Sequence, residues 1–374
     1  MTTTDTMTTT DTLPVANRTP EEVAGAVAQR LFEAGLGAFE LATVALGERL
    51  GLYRALSDGG PATADSLADT TGIDGRYARE WCEQQAAAGL LTVDDPEQAP
   101  GDRRFGLLPG SEAVLLDPDS PAYLIPIGGF LEAVGRMLPA IEAAYRTGSG
   151  ISYGEYTVQH SQGGFNRPAF IRQLVQEWLP QIPDLDARLR NGGTVAEFGS
   201  GEGWAAIALA RGYPRLRVDG FDIDPPSVET ARRNAEQAGL ADRVRHAVAD
   251  VTDPALTGSY DAVFAFEMLH DLAHPVAALQ TARRLTGDGA APVLIVDDRA
   301  AEVFTAPDDP IQRFFYAASV LHCLPVGRCA QDSAQTGTLM RPDTLRAYAE
   351  KAGFTTVTVL PIQTDMFRFY RLEG

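Results

Sequence analysis

The chain has 374 residues, 45% of them hydrophobic, with a formal net charge of −19 and an isoelectric point near 4.6. That length suits two or three domains with real cores, and so acidic a chain lacks the basic footprint that nucleic-acid phosphates demand. Its three cysteines, Cys82, Cys323 and Cys329, are too few and too scattered for a disulfide framework or a zinc cluster.

Residues 1–18 nearly repeat the hexapeptide Met-Thr-Thr-Thr-Asp-Thr and offer no apolar surface to bury, which predicts a disordered tail. The first twelve residues have neither the basic start nor the apolar core of a signal peptide. The most apolar long stretch, Ala122 to Ile141, carries Glu132 and Arg136 and is broken by Pro126 and Pro139, so it does not read as a membrane span. The expectation is a soluble, cytoplasmic protein with no membrane partner.

A helical pattern begins at Pro20, where Glu21 and Glu22 favour a helix start and Val23, Val27 and Leu31 recur at helical spacing. A second apolar stretch covers Phe39 to Leu56. Next comes a helix-turn-helix and wing pattern: a short helix from Thr63 to Thr70, a turn at Gly72, and a longer helix from Gly75 to Ala88 capped by Gly89. Two strands follow, Leu90–Val93 and Arg104–Leu108. Such a module reads either as a DNA reader or as a packing and dimerisation unit. Its second helix carries Arg76, Arg79, Glu80 and Glu83, which is no basic stripe, so packing is the expectation. Residues 19–120 are thus a mainly helical, winged-helix-like domain.

Residues 121–190 read as a helical linker interrupted by Gly148, Gly150, Gly154, Gly163 and Gly164. Tyr153, Tyr156, His160, Gln162, Phe165 and Asn166 crowd into it. The segment either covers a pocket or crosses between domains, and the residues leave both open.

From Thr194 the pattern is that of a nucleotide-binding α/β domain, residues 191–374. A strand, Thr194–Phe198, runs into Gly199-Ser200-Gly201-Glu202-Gly203 and then a helix, Trp204 to Arg211; strand, glycine turn and helix open a doubly wound fold. The glycines let the chain turn sharply and a ligand approach. Trp204 stands where a dinucleotide fingerprint needs Gly or Ala, and no Lys with Ser/Thr makes a phosphate loop.

The second strand, Leu216–Ile223, ends in Asp222-Ile223-Asp224, about 20 residues on, where an acid is expected to hold a ribose. Ile223 is placed to pack on the adenine, and Asp224 reads better as the cap of the helix from Pro225 to Ala238. Strand three, Val244–Val248, leads to Asp250 and Val251. Strand four, Tyr260–Phe266, ends at Glu267-Met268-Leu269-His270-Asp271. A helix from Pro275 to Leu285, a fifth strand from Pro292 to Val296 ending in Asp297-Asp298, and strands Thr355–Leu360 and Met366–Leu372 complete seven strands. Four strand ends carry acids, which suits a cationic cofactor with an adenosine.

These residues carry a resemblance. Residues 194–374 resemble a class I S-adenosylmethionine-dependent methyltransferase, and the chain from about residue 20 is similar to bacterial methyltransferases with a winged-helix-like N-terminal domain. The resemblance implies a Rossmann-like seven-stranded methyltransferase sheet and S-adenosyl-L-methionine as cofactor. It implies contact of Glu197, Gly199, Gly201 and Gly203, with Ser200 in the same turn, with the cofactor's methionine part. Asp222 and Ile223 then fall to the ribose and adenine, Asp250 and Val251 to the adenine amino group, and Phe266 and Glu267 to the strand-four wall. The family's first motif more often opens with Asp than with Glu.

Methyl transfer to a hydroxyl or an acidic carbon profits from a base. His270, with Asp271, lies where acceptor should meet methyl group; the bland reading is a helix-start or packing histidine capped by Asp271. His274 reads as a loop residue and His246 as structural. An insertion from Val303 to Met340 holds Phe314, Phe315, Tyr316, His322, Cys323 and Arg328; the aromatics read as an apolar wall or as core. No metal is expected, though His270, Asp271 and His322 form the set one would use. The expected function is methyl transfer to a small-molecule oxygen, nitrogen or activated carbon in a homodimer without nucleic acid. The alternatives are a cofactor-binding regulator and a methyltransferase-fold enzyme of other chemistry.

Overall fold

The computed structural model describes residues 18–374; all but the last residue of the expected tail lies outside the described residues. Thr19 opens the chain's longest helix, α1 (Pro20–Arg49), through a reciprocal capping box with Glu22. The apolar stretch read as one unit from Phe39 to Leu56 is cut at Gly51, whose φ of 69° ends α1 and turns the chain into α2 (Leu52–Gly59). A two-residue strand β1 (Ala62–Thr63) precedes α3 (Ala64–Thr71); Gly72 turns in the left-handed region, and Asp74 caps α4 (Gly75–Ala87). Strands β2 (Leu91–Val93) and β3 (Arg104–Leu107) complete an antiparallel sheet in the order β1-β3-β2. This is the expected winged helix-turn-helix.

Its core is built by Leu52, Tyr53, Leu67, Trp81 and Phe105, with Gly47 of α1 flat against Trp81, where an added Cβ would overlap the indole. The buried Gln85 is satisfied on both ends: it accepts from the Tyr53 hydroxyl at 2.5 Å and donates to Thr43 Oγ1 at 3.0 Å. A one-turn helix α5 (Glu112–Leu115) leads to α6 (Pro126–Thr147), which packs along α1. Helix α7 (Gln159–Ala169) continues into a π-helical stretch, Phe170–Trp178, and α8 (Pro183–Asn191) then brings the chain to the sheet.

The C-terminal part is a seven-stranded sheet with helices on both faces. In chain order it runs β4 (Gly193–Phe198), α9 (Trp204–Gly212), β5 (Leu216–Asp222), α10 (Pro225–Gln237), β6 (Val244–Val248), β7 (Ala262–Phe266), α11 (Pro275–Leu285) and β8 (Val293–Asp298). An insertion follows, with α12 (Pro310–Ala318), a π-helical turn Ser319–Cys323 and α13 (Leu324–Gly327); then come α14 (Pro342–Ala352), β9 (Thr356–Val359) and β10 (Phe367–Glu373). The strand order is β6-β5-β4-β7-β8-β10-β9, with β10 antiparallel to both neighbours. Strand β7 starts two residues later than expected, because the Tyr260 amide donates to the Leu285 carbonyl at the end of α11 and not to a strand. One hydrophobic cluster fills each face of the sheet. The chain reverses direction across the sheet at β4, so the carboxyl ends of β4, β5 and β7 form the crevice where such sheets bind ligands.

Candidate active site

A cavity of about 640 Å³ opens at that crevice, roofed by α6, α7 and α12. Its first wall is the turn after β4. Gly199, Gly201 and Gly203 have φ of 65°, 49° and 82°, a region that side chains rarely tolerate, and a Cβ on Gly199 would stand 2.7 Å from Met268. Asp222, at the end of β5, pins this turn. Its Oδ2 accepts from the Gly201 amide at 2.8 Å and its Oδ1 from the Asp224 amide at 2.9 Å. The carboxylate expected on the ribose therefore also shapes the loop beside it.

Glu197 is buried and lines the cavity, and its Oε2 has no hydrogen-bond partner among the described residues. Burial pushes its carboxyl up to about 8. An unpaired buried carboxyl oxygen beside an open cavity is costly unless a ligand's cation or donor reaches it. Ile223 is exposed at the lip; Val251 and Phe266 are buried, Phe266 against Phe170 at 5.2 Å. Asp250 lines the cavity while its Oδ1 accepts from Thr252, from the amide at 2.8 Å and the hydroxyl at 2.7 Å. Asp224 is the N-cap expected of it, accepting from the Ser227 amide at 3.0 Å and hydroxyl at 2.7 Å, and it borders the cavity as well. The orphaned Glu197 oxygen, the glycine-rich turn and the strand-end acids fit an adenosyl cofactor with a cationic amino-acid tail.

Ser200 faces the cavity and its hydroxyl lies 3.1 Å from Nδ1 of His246. His246 supports the turn from below, since a Cβ on Gly203 or on Gly220 would strike its ring. Burial pushes this imidazole down to about 4, so it is neutral and structural, as its place within a strand suggested.

The second wall is assembled from distant segments. His270, on a 3₁₀ turn after β7 (Leu269–Asp271), is buried, and its Nδ1 donates to Asp297 Oδ1 at 2.6 Å. Its Nε2 lies 3.3 Å from Asp271 Oδ1 and 3.9 Å from Asp298 Oδ2. Burial opposes a charge on His270, but Asp297 and Asp271 outweigh it and hold the imidazole's affinity for a proton above its ordinary value. Glu267 sits beside it at a φ of 48°, a strained conformation of the kind functional sites retain. Burial, with Asp297 adding to it, pushes the Glu267 carboxyl up to about 7. Burial and the charge of Glu267 raise Asp298 too. His322 is fully buried among Phe130, Tyr153 and Tyr156, which keeps it neutral.

The sequence offered His322 as third member of a metal set with His270 and Asp271. The structure instead groups Cys323 with that pair, ligand atoms within 4.8 Å of one another, while His322 packs among Phe130, Tyr153 and Tyr156. Of the crowded residues in 153–166, Tyr153, Gln162, Phe165 and Asn166 line the cavity, with the Tyr153 hydroxyl donating to Gln162 at 2.9 Å. Tyr156 instead donates to the Leu321 carbonyl, and His160 lies outside, on Glu202. Of the three consecutive aromatics, Phe314 and Phe315 line the cavity; Tyr316 accepts from Arg341.

Sequence reasoning missed Glu202, a buried carboxylate that accepts from Trp204 Nε1 at 3.3 Å. The signal was Gly163 on the opposing helix, where a Cβ would stand 2.7 Å from its Oε2. It also missed His274 and Thr338, cavity residues whose sequence neighbourhoods carry no motif.

Fold and site together define a class I methyltransferase architecture. Residues 195–289 match the methyltransferase domain family and residues 38–100 the Rv2258c-like winged HTH domain, so the chain carries a methyltransferase domain behind a winged helix-turn-helix. A 121-residue stretch is 38% identical to the catechol O-methyltransferase of Mycobacterium tuberculosis, covering 31% of this chain and 53% of that protein. A 60-residue stretch is 40% identical to the tRNA1(Val) (adenine(37)-N6)-methyltransferase of Porphyromonas gingivalis, covering 16% of this chain and 24% of that protein. The chain thus spans about half or less of the curated relatives it matches.

Among solved structures, the mitomycin 7-O-methyltransferase MmcR aligns with a TM-score of 0.62 at 21% identity over 94% of this chain and 99% of its own. Human N-acetylserotonin methyltransferase, in complex with SAM, aligns at 0.66 and 16% identity over 93% and 97%. These likenesses cover both halves of the chain and establish the shared fold.

Proposed function

We propose that the chain transfers a methyl group from S-adenosyl-L-methionine to the hydroxyl of a small-molecule acceptor. The observation that carries this reading is the buried His270–Asp297 pair, 2.6 Å apart, at the far end of the same cavity that the glycine turn opens. The cofactor, when bound, supplies an electrophilic methyl group on a sulfonium.

The chain's own residues do the rest. The turn at 199–203 admits the amino-acid tail to its backbone, Glu197 offers an unpaired oxygen to the tail's amino group, and Asp222 lies beside the sugar. At the acceptor end, Nε2 of His270 takes the hydroxyl proton as the oxygen becomes a nucleophile. Asp297 fixes the ring's orientation and stabilises the imidazolium that results. Asp271 adds to that stabilisation. Phe165, Phe314 and Phe315 hold the acceptor's apolar body and keep water out, and residues 121–190 act as the cover. Alignment of the two reactants contributes much of the acceleration.

The partner we propose is a second copy of the chain. Leu31, Phe32 and Phe39 of α1 are 68%, 67% and 76% exposed, and Val27 and Leu36 of the same helix are exposed as well. A twofold pairing of this helix would lay the same apolar face on itself. Nucleic acid is not the proposed partner, since Arg76 and Arg103 beside the winged module are paired to Glu80 and Glu83. Three free cysteines fit a reducing, cytoplasmic setting; among the described residues, no helix is long and apolar enough to cross a membrane.

The test is mass spectrometry of a panel of hydroxylated acceptors incubated with the chain and methyl-deuterated cofactor. A labelled product that His270→Gln fails to form supports the reading. Label appearing on nitrogen or carbon alone refutes the hydroxyl assignment.

A further inference from the structure

We infer that His270, Asp271 and Cys323 form a binding site for one divalent transition metal of the zinc type. The inference begins with three ligand atoms in one place. Nδ1 of His270 donates to Asp297 at 2.6 Å, which leaves Nε2 as the ring's free ligand atom. Nε2 lies 3.3 Å from Asp271 Oδ1, a buried oxygen without a hydrogen bond of ordinary geometry among the described residues. Together with Cys323 they offer one ligand atom each, all within 4.8 Å of one another. Asp297 and Asp271 favour positive charge at this imidazole, and a metal ion takes the place of the proton there.

The donor set and its surroundings are those a zinc-type ion selects. Nitrogen, sulfur and carboxylate oxygen bind Zn²⁺ at about 2.0–2.3 Å, which puts tetrahedral ligands roughly 3.3–3.8 Å apart. The His270–Asp271 separation of 3.3 Å already meets that, and the Cys323 ligand atom lies within 4.8 Å of both. Metal-bound imidazoles almost always donate their other N–H to a carboxylate, and the His270–Asp297 bond is that arrangement, with both side chains buried. All three residues line the cavity, from which a further ligand can reach the ion. On binding, the Cys323 thiol gives its proton to solvent and becomes the thiolate ligand. A proton on Nε2 is the competing cation, so metal and proton exclude one another there.

Metal binding needs no acceptor and no cofactor, so it is measured independently of the methyl-transfer reading. The experiment is titration of the full chain with Co²⁺, following the thiolate-to-cobalt absorption in the near ultraviolet. The expected result is saturation at one equivalent per chain and displacement of the band by Zn²⁺. The band disappears in Cys323→Ser and persists in Cys329→Ser. Asp297→Asn keeps the band but weakens cobalt binding ten- to a hundredfold, the cost of losing the carboxylate behind a ligating histidine. Should Cys323→Ser fail to fold, Asp271→Asn serves in its place and is expected to weaken binding at least tenfold. Absence of a one-equivalent band in the wild type, its survival in Cys323→Ser, or its loss in Cys329→Ser overturns the site.

Discussion

The two ends of the cavity are built in opposite ways. The cofactor end comes from consecutive residues: β4, its turn and α9 supply Glu197 to Trp204, and the next strand brings Asp222 against Gly201. The acceptor end is a meeting of strangers. His270 follows β7, Asp297 and Asp298 end β8, Cys323 closes a π-helical turn, and Asn166 comes from the helix that precedes the sheet. Backbone geometry makes the first end, so its residues announce themselves by spacing; side chains converging from separate elements make the second, so its members share no motif. The same contrast predicts how each end fails. Damage to the first is felt in cofactor affinity, damage to the second in turnover.

The sharpest separation is His270→Gln. It is expected to lower kcat by about 10²–10⁴, roughly 3–5 kcal/mol of barrier, while calorimetric cofactor affinity stays within about twofold. A matching loss of affinity would merge the two ends into one.

Stability against pH tests the support under the glycine turn. His246 is held neutral down to about 4, whereas an unfolded chain protonates it near 6.5. The unfolded state therefore binds more protons between those values, and the fold loses up to about 3 kcal/mol as pH falls from 6.5 to 4. Glu197 acts in the other direction, costing stability as pH rises from 4.5 to 8. In the difference between wild type and His246→Gln that second effect cancels. Urea unfolding at a series of pH values is expected to show the two proteins diverging below 6.5, the variant losing less. Parallel curves would remove His246 from the account.

Gly199→Ala places a Cβ at a φ of 65° and 2.7 Å from Met268. Its expected effect is a ten- to hundredfold loss of cofactor affinity, about 1.4–2.7 kcal/mol, read by calorimetry, with kcat at saturating cofactor changed far less. The smallest effect belongs to Phe314→Ala in α12, which roofs the cavity. Phe314 is 40% exposed, so truncation is expected to raise KM for the acceptor about three- to tenfold and leave cofactor affinity alone.

Much of this was legible in the sequence, for stated reasons. The seven strands follow from apolar runs ending in acids and separated by helical repeats, and the turn glycines follow from a backbone need. His246 reads as structural because it sits inside an alternating strand, and the structure buries it beneath the glycine turn. The pairing of His270 with Asp297, 27 residues away, was not legible, because strand order and not chain order sets that distance. Cys323 was passed over for His322 because the sequence does not show which of two adjacent side chains reaches His270 and Asp271. Glu202 carries no motif of its own, and its burial depends on Gly163, distant in the chain, leaving room for it.

One titration bears most directly on the reading of the cavity: calorimetry of the purified chain with S-adenosyl-L-methionine, repeated with Asp222→Ala. The prediction is one cofactor bound per chain and at least a tenfold weaker fit in the variant, which loses both the sugar's neighbour and the anchor of Gly201. No binding by the wild type, equal binding by the variant, or a preference for a nicotinamide dinucleotide would contradict it.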